Sequence, residues 1–191
     1  MRDKDVRCAL YRELEDQHAS ELSNTRFVDE LGLCGEVRVD VAVLNGALSG
    51  YELKSAADTL QRLPKQVEYY SKVLDFAVLV VADNHAEAAA ELLPKWWGLT
   101  LAVAAGEQVA LTVTRAPQRN PDIDAYSLAL LLWRDEALSA LAERQLDKGV
   151  RSKSRSLICQ RLADTLPIEE LRDLVREQLK ARADWRSALR R

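Results

Sequence analysis

Histidine and cysteine are scarce: the 191-residue chain holds two of the first and three of the second. His18 and His85 stand far apart with no second ligand at metal spacing, which excludes a histidine-built zinc centre. Cys8, Cys34 and Cys159 are odd in number and fit neither a zinc site nor a disulfide framework. With no secretory apolar segment at Met1, a reducing cytoplasm is the expected compartment. No apolar run is long enough to span a bilayer. An excess of positive charge is also missing: 27 Lys and Arg face 30 Asp and Glu, a formal net charge of -3. A protein that coats nucleic acid unspecifically is normally basic, so any contact with DNA must use a local patch. No internal repeat or low-complexity tract stands out.

What is present is an apolar fraction of 48% beside 30% charged residues, the balance of a globular protein able to bury a core. Val6, Leu10 and Leu14 recur at helical spacing, so residues 4–17 read as an amphipathic helix. After a polar loop at 18–25, Phe27 to Leu31 is short and β-compatible, and Gly32 and Gly35 break it. Residues 37–44, Val-Arg-Val-Asp-Val-Ala-Val-Leu, hold the plainest strand pattern, with valine at every odd position and hence one apolar face. Asn45-Gly46 signals a hairpin, with Ala47 to Lys54 as the returning strand. Asp58 caps a helical stretch that runs past Pro64 to about Leu74. Phe76 to Val81 is a continuous apolar run, as expected of a strand buried on both faces. A helix at 85–93 ends at Pro94, strands at 99–104 and 108–114 meet at Gly106, and residues 115–124 read as a linker. From Ala125 onward the periodicity is helical throughout. The expected organisation is an α/β domain over residues 1–115 and an all-helical appendage over 125–191.

The informative block is Asp40, then eleven residues, then Glu52-Leu53-Lys54. Side chains alternate along a strand, so Glu52 and Lys54 share a face while Leu53 points to the other. Burying Leu53 turns both charges toward a common cleft, where each is costly without a partner. Asp40 joins them only if the hairpin allows it. A two-residue loop at Asn45-Gly46 pairs Asp40 with Tyr51 and turns it away. A three-residue loop, Asn45-Gly46-Ala47, pairs Leu44 with Leu48 and sets Asp40 opposite Glu52; a bulge or divergence near Gly50 has the same effect. With that facing, Asp40 and Glu52 offer two hard oxygen ligands for Mg2+ or Mn2+, and the Leu53 carbonyl a third. Such an ion polarises a phosphate oxygen and acidifies a bound water. Lys54 then orients that water and offsets charge growing at phosphorus.

Asp40 followed by Glu52-Leu53-Lys54 resembles the metal-binding signature of the PD-(D/E)XK, or restriction-endonuclease-like, nuclease superfamily. Gln66 and Tyr70, four apart on the next helix and so on one face, resemble the Gln-x-x-x-Tyr motif of its RecB-like and Cas4-like branches. The order strand, turn, strand, helix, strand over residues 37–81 matches the core of that superfamily. The stretch from Asp58-Thr59-Leu60 to Tyr70 resembles an uncharacterised bacterial family within it, and the likeness runs along most of the chain. The resemblance implies a mixed central sheet flanked by helices and a Mg2+-dependent deoxyribonuclease with a restriction, repair or defence role. It also implies an upstream glutamate that assists metal binding: Glu30 fits best, and Glu13 on the first helix is the alternative. A catalytically inactive DNA-binding or adaptor protein that keeps the fold is the competing expectation, and the intact Asp40, Glu52 and Lys54 favour the enzyme. A third expectation is an assembly subunit whose helical tail does the work.

Arg38 shares a strand face with Asp40 and reads either as a phosphate contact or as the salt-bridge partner of that carboxylate. Lys65 and Lys72 read more simply as solvated helix charges than as a DNA channel, and Trp96-Trp97 as the edge of a core than as a base-stacking platform. Residues 135–166 hold Lys148, Arg151, Lys153 and Arg155 between two helical stretches. That arrangement resembles the helix–extension–helix pattern of SAP-type DNA-binding modules, in which basic side chains and N–H groups at a helix start hold phosphate. A helical bundle packed on the core, or a dimer contact, accounts for the same residues. Ile168 to Arg191 is amphipathic and ends in arginines. The expected partner is DNA, with no membrane, and a homodimer is reasonable because cleaving both strands often takes two centres.

Overall fold

The Val6, Leu10, Leu14 stripe is the buried face of a helix, α1 (Asp3–Gln17), in the computed structural model, which describes residues 2–106 and 108–182. Six strands follow: β1 (Arg26–Leu33), β2 (Val37–Leu44), β3 (Leu48–Lys54), β4 (Phe76–Ala82), β5 (Gly98–Ala105) and β6 (Gln108–Arg115). They lie in chain order in one mixed sheet. The first three form an antiparallel meander, β3–β4 and β4–β5 are parallel, and β6 returns antiparallel to β5. Parallel neighbours need a crossover, and helices supply both: α2 (Leu63–Val73) between β3 and β4, and α3 (Ala86–Leu92) between β4 and β5. β4, the most apolar strand, is buried on both faces as its sequence demands.

The hairpin has a three-residue loop, with Leu44 paired to Leu48. Its glycine does not take a left-handed conformation. The Asn45 side chain holds the turn instead, its Oδ1 accepting the Ala47 N–H at 3.1 Å. The valines of β2 do not share one face, contrary to their spacing. Val41 and Val43 pack with α1 and Leu53, whereas Val39 joins Ala42 and Leu44 on the opposite side. Alternation breaks at Asp40, which has no pairing partner in either adjoining ladder. Glu30, across from it on β1, is left-handed at φ 56°, a conformation that costs a non-glycine residue roughly 1 kcal/mol or more. β1 runs through Gly32 to Leu33, so glycine does not end it there.

α2 begins at Leu63 with Pro64 in its first turn, where the missing N–H is no loss. Asp58 caps the turn after β3 and not the helix: its carboxylate accepts the Ser55 N–H at 2.8 Å and hydroxyl at 2.6 Å. At the far end of α2, Leu74 lies so close over Gly50 of β3 that any Cβ there would clash with it.

Beyond β6 come α4 (Ala125–Ala129), α5 (Arg134–Glu143), α6 (Arg155–Thr165) and α7 (Ile168–Ala181). The sheet ends where the sequence suggested, but the packing does not divide there. Leu128, Leu141, Ile158, Leu162, Leu171 and Val175 belong to the same core cluster as Val39, Leu48, Tyr70 and Leu79. The linker is tied down as well: Asn120 donates to the Ser71 and Leu74 carbonyls at 2.7 and 2.9 Å. At the junction a buried Asp75 accepts the Leu48 N–H at 2.8 Å and meets Arg172 of α7 at 3.2 Å. No helix among the described residues is long and apolar enough to cross a membrane.

Removing Asp75 takes from Arg172 its buried counter-charge and leaves it Glu169, which is well exposed. Asp75→Ala should therefore lower the unfolding free energy by about 3 kcal/mol or more. Asp75→Ala combined with Arg172→Met should cost less than the two single changes added together. Urea denaturation of the four proteins checks both, and additive losses would contradict the coupling.

Candidate active site

Leu53 is buried against α1, which turns Glu52 and Lys54 of β3 to the α2 side of the sheet. Both charges are almost wholly buried, at 1% and 2% exposure. An isolated ion in that position costs several kcal/mol, so the partners decide whether the site can exist. Glu52 Oε1 accepts from the Lys54 ammonium and, at 2.5 Å, from Gln66 Nε2 of α2. One turn along α2, the Tyr70 hydroxyl lies 2.5 Å from Glu52 Oε2 and 2.9 Å from the Arg38 carbonyl, with one proton to share between them. Burial first, and then the Glu52 charge, push the Tyr70 phenol well above its usual range, so it stays a donor. Its ring is stacked on Trp97, 5.5 Å between centroids and 16° from parallel. Trp96 and Trp97 are thus core residues.

Asp40 stands where β2 and β3 separate. Their ladder stops at Val41 and Tyr51, and beyond it the Asp40 side chain takes the place of a strand partner, Oδ2 accepting the Leu53 N–H at 2.8 Å. The N–H and C=O of one strand residue point to the same edge, so the Leu53 carbonyl also faces the Asp40 side. Burial, and then the nearby Glu52 carboxylate, push the Asp40 carboxyl up to about 7, against the pull of the Leu53 N–H, Arg7 and Lys54.

Asp40, Glu52, Leu53, Lys54 and Gln66 line a cleft of about 760 Å³. Glu30 lines it too, its Oε2 3.2 Å from Arg38 Nε. Glu13 does not: it is exposed on α1 and accepts from Gln17. Arg38 is well exposed and pairs with Glu30, not with Asp40. Arg62 and Lys65, at the start of α2, also face the cleft, Lys65 in an ion pair with Glu36 at 2.8 Å. Lys72 pairs with Glu68 on the helix surface.

The basic residues of the 135–166 segment lie elsewhere, and none of them lines the cleft. Arg155 donates to the Leu130 and Leu132 carbonyls at the end of α4, so it braces the helices. Arg151 is paired with Asp147, while Lys148 and Lys153 are exposed. Arg186, Arg190 and Arg191 fall outside the described residues.

The sequence offered no sign of Arg7. From α1 its Nη1 donates to the Asp40 carbonyl at 2.8 Å and to Asp29 Oδ1 at 3.1 Å, and Tyr11 one turn on donates to the same Asp29 oxygen at 2.7 Å. Residues four apart beside an apolar stripe are visible in the sequence; what the helix will lie against is not.

No group of three or more His, Cys, Asp or Glu among the described residues is placed to hold a metal ion. A cation would have Asp40, Glu52 and the Leu53 carbonyl, a set of hard oxygens suited to Mg2+ or Mn2+. Two observations fit one. The acidic lining (Asp3, Glu30, Glu36, Asp40, Glu52 and Asp58) outnumbers the basic lining (Arg38, Lys54, Arg62 and Lys65). Gln66 Oε1, an acceptor, is buried without a hydrogen-bond partner.

The raised Asp40 carboxyl has a consequence for stability. The folded chain holds this proton more tightly than the unfolded chain does, so stability present at about pH 4 is lost as pH rises to about 7. The loss in chelator should reach a few kcal/mol. Asp40→Asn removes it, and should raise the melting temperature of the metal-free protein at pH 8 by several degrees while leaving it unchanged at about pH 4. The same shift at both pH values would contradict the assignment.

No curated protein matches the sequence. Among solved structures, a protein of unknown function from Silicibacter pomeroyi is similar at 20% identity and a TM-score of 0.43, over 76% of this chain and 95% of that one. A family model described as bacteriophage P4 protein cII matches residues 1–189, and the chain belongs to that family.

Proposed function

We propose that the chain is a divalent-cation-dependent nuclease with a restriction-endonuclease-like core, hydrolysing phosphodiester bonds in DNA at the cleft between α2 and the β2–β3 fork. The observation that carries this reading is the burial of Glu52 and Lys54 side by side at the cleft floor, next to an Asp40 that has left its strand ladder. A structural ion pair explains two of those charges and leaves a second carboxylate, Asp40, lining the same cleft.

In this reading Asp40, Glu52 and the Leu53 carbonyl hold Mg2+ or Mn2+, which supplies positive charge to the scissile phosphate and to the attacking water. Lys54 orients that water and offsets charge on the phosphorane oxygens. Gln66 and Tyr70 position Glu52, and Glu30 adds negative charge at the rim. Arg62 accepts the Gln66 N–H with its carbonyl and faces the cleft with its side chain, and with Arg38 and Lys65 it offers contacts for backbone phosphates.

One observation favours a second reading, a nuclease fold that binds DNA without cutting it. Both Glu52 oxygens are already engaged by Lys54, Gln66 and Tyr70. A cation must draw Glu52 or Lys54 into a new contact before the site works.

Cleavage of single- and double-stranded DNA in Mg2+ or Mn2+ separates the two. The wild type should cut, and Asp40→Ala and Lys54→Ala should each lower the rate by about a thousandfold with folding intact. Equal cutting by all three proteins would sink the site assignment. DNA binding without cutting by any of them would establish the second reading.

A further inference from the structure

We infer that Arg7 is a positioning residue for Asp40: α1, a helix with no role in the motif itself, holds the carboxylate in the orientation the site needs. The inference deepens the nuclease reading, yet its first half concerns only the folded chain.

Asp40 has lost its strand partners on both sides, and Glu30 opposite it is left-handed. A residue at such a break has no ladder to fix its peptide plane. Arg7 does this work from outside the sheet, with Nη1 donating to the Asp40 carbonyl at 2.8 Å. The guanidinium is itself held, by Asp29 at 3.1 Å and by Asp3 one turn earlier at 3.6 Å. Asp29 is fixed in turn by the Tyr11 hydroxyl at 2.7 Å. The second arm of the fork stands 3.9 Å from Asp40 Oδ1 and 3.9 Å from Glu30 Oε1, too far for a hydrogen bond. Arg7 thus grips the backbone of Asp40 by a hydrogen bond and reaches Oδ1 only as an ion pair at 3.9 Å, while the Leu53 N–H takes Oδ2. A residue serving only to neutralise Asp40 would close on the carboxylate. Both hydrogen bonds come from Nη1, and a lysine ammonium, which ends one bond short of that nitrogen, cannot reach the Asp40 carbonyl and Asp29 together.

The test compares amide hydrogen exchange at Leu53, whose N–H is the one Asp40 accepts, with that at Val80 in the neighbouring strand. Dividing one rate by the other removes any general loss of stability. In the wild type and in chelator Leu53 should be protected. In Arg7→Gln its exchange relative to Val80 should rise by about tenfold or more, and Arg7→Lys should behave as Arg7→Gln does. An unchanged ratio, equal acceleration at both amides, or full rescue by lysine would each overturn the inference. Mn2+ binding followed by electron paramagnetic resonance tests the second half. Arg7→Gln should weaken it by about tenfold, the usual cost of losing a group that orients a ligand. Tighter binding would mean that Arg7 merely repels the cation, and would overturn its positioning role toward the metal. A wild type that binds no Mn2+ while the Leu53 ratio still shifts supports the role of Arg7 in the fold and refutes the nuclease reading alone.

Discussion

A glutamate carboxylate with 1% exposure is the constraint around which this protein is arranged. Glu52 sits on a central strand, almost wholly out of water, and its desolvation must be offset by donors brought from elsewhere. Lys54 comes from its own strand, by alternation. Gln66 and Tyr70 come from α2, and they reach Glu52 only because they are four apart on one helix face that crosses β3 at a fixed height. That height depends on Gly50, which lets Leu74 at the end of α2 descend onto the strand. It depends also on Trp97, which backs the Tyr70 ring. Strand β3, helix α2 and the turn that carries Trp97 therefore converge on one carboxylate, and a fold that only needed a core would have placed a leucine there.

The second constraint is a break in regularity. A continuous β2 would point Asp40 by simple alternation and pair its backbone to β1 and β3. The left-handed Glu30 and the fork beyond Val41 and Tyr51 prevent that. Strain of this kind persists only where surrounding contacts over-determine it. Here they do, through the Leu53 N–H on one side and the Arg7 guanidinium on the other.

Much of this is legible in the order of the residues. The hairpin register follows from asking which loop length can place Asp40 beside Glu52, and Leu44 does pair with Leu48. The facing of Glu52, Leu53 and Lys54 follows from the period of a strand, and that of Gln66 and Tyr70 from the period of a helix. What stays hidden depends on contacts between distant segments. Valine at every second position of β2 predicts one face, and the kink at Asp40 divides the valines between two. Arg7 and Asp29 are 22 residues apart, and no local pattern announces that they meet. The helices after Asp124 carry their own periodicity and so resemble a separate unit, although their apolar faces complete the layer begun by α2.

β3 explains why those helices cannot be separate. Its ends are treated alike. At the start, the Leu48 N–H is taken by Asp75, and Arg172 of α7 meets that aspartate. Near the end, the Leu53 N–H is taken by Asp40, and Arg7 of α1 grips that residue. Each aspartate substitutes for a strand partner, and each depends on an arginine from a helix on one face or the other of the sheet. The two ends differ in what they leave open. Arg172 approaches the carboxylate of Asp75 itself, both side chains being buried, and Arg176 meets the same carboxylate at 3.8 Å. Arg7 hydrogen-bonds the main chain of Asp40 and meets its carboxylate only as an ion pair at 3.9 Å, with Asp40 lining the cleft. The same device anchors the strand at one end and, on the proposed nuclease reading, presents a metal ligand at the other. The strand that carries Glu52 and Lys54 is thereby held between the first helix and the last described one, which makes residues far from the cleft part of its geometry.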